Sequence, residues 1–191
     1  MSNAAALRTL EGLELPAPGV WEIDASHSSV GFVARHLMIS KVRGGFERFN
    51  GLITVGRGPE DSGVQVTIDA ASFTSHDDKR DEHVRSADFL DVERFPSLRF
   101  RSTGVERTGE AGLLVHGELT IRDVTRPVTL RAAYDGAATD PWGNARISFT
   151  ASTEIDREDF GITWNQALET GGVLVGKKVG IELAVTAVRA S

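Results

Sequence analysis

The sequence predicts an all-β domain of about eight antiparallel strands, closed as a barrel or packed as a sandwich, with one short helical segment. At least six segments alternate between apolar and polar residues, which is the pattern of a strand with one buried face. Clean alternation favours antiparallel strands, because strands of parallel sheets read as continuous apolar runs. Short turn-rich links at 57–60, 108–110 and 140–143 separate these segments.

The alternating segments predict which side chains face the interior. In the first half of the chain the apolar positions are Val30, Phe32, Ala34, Val64, Val66, Ile68, Ala70, Leu98 and Phe100. In the second half they are Leu113, Val115, Gly117, Leu119, Ile121, Val128, Leu130, Ala132, Tyr134, Ile147, Phe149, Ala151, Ile155, Val179, Ile181, Leu183 and Val185.

The segment from about 77 to 87 favours a helix. Asp77 or Asp78 is a candidate N-cap, and Asp81 and Arg85 stand at i,i+4. We expect a solvated helix carrying an Asp81–Arg85 ion pair. The same segment does not predict a metal site, because His76 and His83 would be separated by about 10 Å of helical rise.

Length and composition predict one domain at 20–191, preceded by a flexible leader at 1–19. The 191 residues include 40% apolar and 25% charged residues, and the net charge of −6 argues against a nucleic-acid partner. The absence of cysteine excludes disulfides, thiolate metal sites and a cysteine nucleophile. Charged residues interrupt the apolar stretch near the N-terminus, so the sequence predicts no signal peptide, no membrane span and a cytoplasmic location.

The interior of such a barrel is either a cavity or a filled core. The small inward candidates Ala34, Ala70, Gly117, Ala132 and Ala151 favour a cavity. Large neighbours such as Phe32, Phe100 and Phe149 would fill the same space. Both interpretations stay open at this point.

Catalytic motifs are weak. Asp24, His27, Ser28 and Ser29 supply the residue types of a hydrolase, but no G-x-S-x-G elbow is present, and Asp24 with Ser26 more simply caps a turn. Residues 171–178 are glycine-rich yet lack the spacing of a phosphate loop. We therefore predict no catalytic residues, no metal and no cofactor.

Six strings in order carry a resemblance to a known family. They are WEIDASHSSVGFVARH at 21–36, VRGGFERFNG at 42–51, RDEHVRSADFLDV at 80–92, FPSLRF at 95–100, LTIRDVTRPV at 119–128 and DREDFGI at 156–162. Together they resemble the YceI-like family over about 21–188. Val84 stands where the family usually has Leu, and Asp123 stands where Gly is usual in a turn.

The resemblance implies an extended lipocalin-like barrel of eight antiparallel strands with a helical segment near one end. It also implies that the barrel binds a long polyisoprenoid-type lipid. We expect a carrier of an isoprenoid quinone or polyprenyl phosphate, and a homodimer is possible because related folds often pair. Two alternatives are an enzyme acting on a small apolar substrate and a stress-linked interaction module with a filled barrel.

Candidate ligand-binding residues follow from the apolar pattern and the family motifs. The apolar cavity and mouth candidates are Phe32, Leu37, Met38, Ile39, Phe46, Phe49, Phe89, Phe100, Phe149 and Trp164. The candidate head-group contacts are His36, Arg80, His83 and Arg85, whose donors suit a phosphate or quinone oxygen. The alternative for the last group is structural: Arg80 and Asp81 would pin the helix to the barrel rim.

Overall fold

The computed structural model describes residues 7–10 and 13–190, which form thirteen strands and one α-helix. The strands are β1 (Leu7–Leu10), β2 (Leu13–Pro16), β3 (Gly19–Ile23), β4 (Ser29–His36), β5 (Ser40–Phe46), β6 (Phe49–Val55), β7 (Gly63–Asp69), β8 (Phe73–Thr74), β9 (Ser97–Arg107), β10 (Gly112–Ile121), β11 (Val124–Thr139), β12 (Ala145–Asp156) and β13 (Val175–Arg189). The helix is α1 (Asp78–Arg85), and short 3₁₀ turns interrupt several connections.

These strands close an antiparallel barrel with eight positions. Short breaks divide three of the positions into the pairs β3/β4, β5/β6 and β7/β8, and β9 to β13 supply the other five. The long β13 pairs with β12 on one side and with both β3 and β4 on the other, which closes the ring. The predicted eight-stranded barrel is confirmed, and the sandwich is excluded because the sheet has no gap between β12 and β13.

Most of the predicted inward positions face the interior. The exceptions have local causes. Ala70 does not line the cavity, because it is buried in the 3₁₀ turn Ala70–Ser72. Gly117 does not line it either, because the Phe100 ring covers it, 2.5 Å from where a Cβ on Gly117 would lie. Ile147 packs with Trp21, Ala145 and Ala187 in a second apolar cluster at one end of the barrel.

The helix begins and ends close to the predicted positions. Asp77 is its N-cap, and its side chain accepts a hydrogen bond from the Arg80 amide at 3.0 Å. The predicted Asp81–Arg85 ion pair is wrong. Asp81 is only 4% exposed and accepts hydrogen bonds from the Ser75 amide and hydroxyl at 2.8 and 2.5 Å, while Arg85 donates to the Phe73 carbonyl. Packing against residues outside the helix therefore outweighs the i,i+4 pairing.

Asp24 holds the break between β3 and β4. Its carboxylate accepts hydrogen bonds from the Ser26 amide at 3.0 Å and from Arg146 at 2.6 Å, so the turn-capping prediction is confirmed. Hydrogen bonds from Ser26 and Arg146 keep the pKa of Asp24 well below its usual value. His27 Nδ1 contacts both Asp24 and Ser26, and because one nitrogen makes both contacts, this cluster lacks the geometry of a hydrolase triad.

The first described residues form a hairpin, with β1 paired to β2 from Leu7↔Pro16 to Leu10↔Leu13. The segment predicted as a flexible leader therefore contains two strands, Leu7–Leu10 and Leu13–Pro16, while its flexibility stays a prediction. In the described part of the chain, no helix has the length and apolar character needed to cross a bilayer.

Candidate ligand-binding cavity

A cavity of about 840 Å³ occupies the barrel interior. Along β13 its wall runs from Val175 to Val185, which corresponds to roughly 33 Å of extended strand. A space of this size is incompatible with a filled core. The barrel therefore has an elongated lumen of the length that a long, narrow ligand requires.

The middle of the cavity wall is aliphatic and aromatic. Most of the apolar residues in the wall are ones whose alternation predicted an inward side chain. β5, β6, α1 and the segment after α1 add further apolar residues, among them Val42, Phe46, Phe49, Ile53, Val55, Val84, Phe89 and Leu90. Ala132 of β11 and Ala151 of the adjacent strand β12 are directly paired neighbours, and their small side chains leave the lumen open there.

Two glycines set where the phenylalanine rings lie. Phe32 pairs with Gly44 across β4 and β5, and its ring lies where a Cβ on Gly44 would stand, while it stacks on Phe73 with 5.1 Å between ring centroids. Phe100 covers Gly117 in the same way. Each ring therefore lies close to the strand backbone, which leaves the centre of the lumen free.

The charged residues that line the cavity come from its two ends. Among the lining residues that the structure describes, the carboxylates are Asp77 and Glu110. Seven are Lys or Arg: Arg8, Arg35, Arg57, Lys79, Arg80, Arg107 and Arg157. This excess of cations contrasts with the net charge of −6 for the whole chain. The ends of the cavity therefore favour an anionic or hydrogen-bond-accepting group.

One end of the cavity, which we call the helix end, is covered by α1 and by residues 157–174. Three rings meet there. The His83 ring lies edge-on to Trp164 at 4.5 Å and to Phe89 at 5.0 Å, and Phe89 itself lies 5.4 Å from Trp164. His83 and Phe89 line the cavity, whereas Trp164 packs behind them. Trp164 thus helps to close the mouth without lining the lumen.

Arg157 organises the loop that covers this end, and it was not among the residues predicted to form the site. It is 4% exposed, and its guanidinium donates to four backbone carbonyls, those of Ile162, Trp164, Val175 and Gly176, at 2.8 to 3.3 Å. Burial lowers the pKa of Arg157, and the nearby Glu158 and Asp156 partly offset that effect. The sequence signal that could have identified Arg157 is its position in the DREDFGI string, directly after the end of a predicted strand.

The predicted head-group residues differ in their placement. His36, Arg80 and His83 line the cavity at the helix end, and Arg85 does not. Arg80 donates to the Ser75 hydroxyl at 2.6 Å and to the Ser75 carbonyl at 3.1 Å, so it also pins α1 to the rim. His83 lies 2.8 Å from Asp88. Arg85 is directed at the Phe73 carbonyl, which gives it a structural contact in place of a lumen contact.

Three of the predicted mouth residues lie at the outer tip of the β4–β5 hairpin. Leu37, Met38 and Ile39 are 39%, 53% and 83% exposed, and none of them lines the cavity. Leu37 nevertheless donates its amide to the carbonyl of Leu174, which does line the cavity. These three residues therefore border the helix end from outside.

Comparison with known proteins agrees with this architecture. The YceI-like domain family matches residues 21–187. The chain belongs to the YceI-like family. A UPF0312 protein of Pseudomonas putida is 41% identical over 140 residues, which cover 73% of each chain.

Two solved structures share this YceI-like fold. Burkholderia cenocepacia BcnA has a TM-score of 0.75 at 22% identity, with 86% of this chain and 98% of BcnA covered. A polyisoprenoid binding domain from Saccharophagus degradans has a TM-score of 0.69 at 12% identity, with 91% and 100% covered. At these identities the two structures establish the fold alone.

The two departures from the YceI-like pattern are both accommodated. Val84 lines the cavity from α1, where a Leu would reach further into the lumen. In the turn between β10 and β11, Arg122 has the positive φ of 57°, and Asp123 does not. Arg122 is anchored by its side chain, which donates to the Gly161 carbonyl at 3.3 Å and lies 3.8 Å from Asp91.

Proposed function

We propose that this YceI-like chain binds an isoprenoid lipid inside its barrel, a quinone or a polyprenyl phosphate, and sequesters or carries it without chemical conversion. The observation that carries the proposal is the cavity of about 840 Å³ with an apolar wall and cationic ends. Its shape fits a long apolar tail with one polar head.

The apolar wall supplies the affinity. Removing apolar surface from water contributes about 25 cal/mol per Å², so a long tail gains affinity without specific polar contacts. Ordering a flexible tail lowers this gain. A preformed lumen between fixed strands reduces the ordering required of the protein, and the site is therefore expected to tolerate differences in tail structure.

The helix end is the proposed position of the head group. Arg80 and His83 reach the lumen beside the rings of Phe89 and Trp164, and Lys79 lines the same end. Cations and a histidine suit a phosphate best, because charge-assisted hydrogen bonds are stronger than those to a neutral quinone oxygen. A polyprenyl phosphate is therefore the preferred ligand of the two.

The absence of catalysis is part of the proposal. Among the cavity-lining residues, the carboxylates belong to the two ends, so the middle of the described wall presents no acid or base to a bound tail. The Saccharophagus degradans domain of the same fold is described as polyisoprenoid binding, which is consistent with a carrier. The cytoplasmic location and the homodimer stay predictions.

Solvent extraction of the natively purified chain tests this function. We expect mass spectrometry of the extract to find an isoprenoid lipid close to one per chain, and a protein of similar size purified in parallel serves as the control. An empty protein that also takes up neither an isoprenoid quinone nor a polyprenyl phosphate when these are offered would contradict the proposal.

A further inference from the structure

The tip of the β4–β5 hairpin combines exposure with an unusual backbone. Leu37 and Met38 have φ values of 54° and 64°, in the left-handed region that few non-glycine residues adopt. The turn is closed by a hydrogen bond from the Ile39 amide to the His36 carbonyl at 3.3 Å. Asn or Gly would relieve the strain, and polar residues would suit the solvent. Met38 and Ile39 nevertheless leave 53% and 83% of their surface exposed at this tip, so the fold leaves much of their apolar surface uncovered.

Two cations stand directly behind the tip. Arg35 of β4 is paired with Lys41 of β5, and both side chains are exposed. Arg35, which also lines the cavity, therefore lies at its mouth. Like charges directly across a sheet destabilise it. Within the described part of the chain neither of these two side chains makes a hydrogen bond or an ion pair.

Other cations close to this pair have partners. Arg43, further along β5, forms an ion pair with Glu182 at 2.7 Å. On β13, Lys177 pairs with Glu158 at 2.8 Å and Lys178 approaches Asp156 at 3.9 Å. Among the described cations of β4, β5 and β13, the side chains without a hydrogen bond or ion pair are therefore the two that flank the apolar tip.

We propose that this hairpin docks the chain on a lipid bilayer that contains anionic lipids. Leu37, Met38 and Ile39 enter the interface between head groups and acyl chains, and Arg35 and Lys41 bind lipid phosphates behind them. Interfacial binding is strengthened both by buried apolar area and by attraction between basic residues and anionic lipids. The tip has this combination, although the chain as a whole carries a net charge of −6.

A bilayer fits the tip better than a protein partner does. Three side chains on one narrow turn offer far less area than the roughly 800 Å² per partner of a stable protein interface. The turn also adjoins the helix end of the cavity through the Leu37–Leu174 hydrogen bond. The purpose of this docking rests on the proposed function, because docking would bring the mouth of the cavity to the membrane in which an isoprenoid lipid resides.

Vesicle flotation with the full chain tests the docking. The probes are vesicles of phosphatidylcholine alone and of phosphatidylcholine with phosphatidylglycerol, both free of isoprenoid lipid. We expect binding to the anionic vesicles, a loss of about tenfold or more for the double variant Met38→Ser/Ile39→Ser, and a loss of about fivefold for Lys41→Gln. The Lys41→Gln effect should vanish on neutral vesicles and in high salt.

Trp142→Ser is the matched control. Trp142 is 82% exposed in the β11–β12 turn, at the opposite end of the barrel from the hairpin, and its replacement should leave vesicle binding unchanged. Thermal unfolding of each variant checks that it folds. The docking is overturned if the wild-type chain does not float, if the Met38→Ser/Ile39→Ser variant floats as the wild type does, or if Trp142→Ser abolishes binding.

The two proposals fail separately. A chain that yields no isoprenoid on extraction but floats through its hairpin would retain the docking and lose the proposed function. A chain that carries an isoprenoid but ignores both kinds of vesicle would retain the proposed function and lose the docking.

Discussion

At the scale of single residues, Gly117 determines how far the Phe100 ring stands from the lumen. A Cβ on Gly117 would come within 2.5 Å of the Phe100 ring and 2.6 Å of the Arg101 carbonyl oxygen, distances that real Cβ atoms do not show. Any larger residue must therefore push the ring or the neighbouring strand away. The same relation holds between Gly44 and Phe32 on the other side of the barrel.

Gly117→Ala should destabilise the barrel by about 1–3 kcal/mol, because the added methyl overpacks a site bounded by backbone. Gly104→Ala is the matched control, since a Cβ there meets nothing within 4 Å, and it should be neutral or slightly stabilising. Denaturant unfolding of both variants measures the difference. Equal stability of the two variants would contradict this account of the Phe100 ring.

Single residues also mark the limit of sequence-based prediction. The i,i+4 spacing of Asp81 and Arg85 predicted a surface pair, but Asp81 is buried against Ser75, which lies outside the helix. Burial alone would raise the pKa of Asp81, but the hydrogen bonds from Ser75 keep this pKa below its usual value. The role of Arg157 was not predicted either, because its partners are backbone carbonyls up to 19 residues away, which have no sequence signature.

At the scale of elements, a chain of charged side chains ties the β3–β4 break to the β11–β12 turn. Arg146, at the start of β12, donates to Asp24 at 2.6 Å and to Asp140 at 2.9 Å. Asp140 also accepts hydrogen bonds from the Asn144 side chain and amide and from the Trp142 amide. These contacts hold the far end of the barrel, opposite the helix end, in register.

Asp140→Asn should remove the contribution of this carboxylate to the pH dependence of stability. Burial would raise the pKa of Asp140, but the hydrogen bonds from Asn144, Arg146 and Trp142 lower it from 3.8 to about 2. A lowered pKa in the folded chain means that the carboxylate stabilises the fold above about pH 4, and that this stability is lost as the pH falls through 2. The variant should therefore be less stable than the wild type at neutral pH, and the difference should shrink as the pH falls and be lost below about pH 2.

Denaturant unfolding at several pH values between 2 and 7 measures this effect. Asp123→Asn, at an exposed position in the β10–β11 turn, provides the control and should follow the wild type throughout. A constant difference between Asp140→Asn and the wild type at every pH would show that the carboxylate charge is not what stabilises the turn.

The strands themselves were the most predictable elements. Side chains on a strand alternate between faces whatever their neighbours are, so alternation predicted the lumen-facing residues of β4, β7 and β9–β13. A capped turn at Asp24 was predicted, but the breaks that divide one barrel strand into β3 and β4 and another into β5 and β6 were not. They depend on contacts such as Asp24–Arg146, which join positions 122 residues apart.

At the scale of the whole molecule, the lumen is the feature that sequence could not decide. Composition allowed both a cavity and a filled core, because volume depends on where the phenylalanine rings lie and not on how many there are. The rings of Phe32 and Phe100 pack on glycines, and Ala132 and Ala151 are paired neighbours on adjacent strands. Together these placements leave about 840 Å³ open.

Ligand binding by Ala132→Phe tests the central claim that this lumen holds the lipid. The added ring would enter the cavity beside Ala151, so binding of a polyprenyl phosphate or an isoprenoid quinone should weaken by about tenfold or more, since the tail loses buried area. Ala133→Phe is the matched control, because Ala133 is the next residue along β11 and is absent from the wall of the lumen. Weakened binding in the first variant with unchanged binding in the second is the predicted result. Binding of the same strength in Ala132→Phe, Ala133→Phe and the wild type would contradict the claim that the lumen is the binding site.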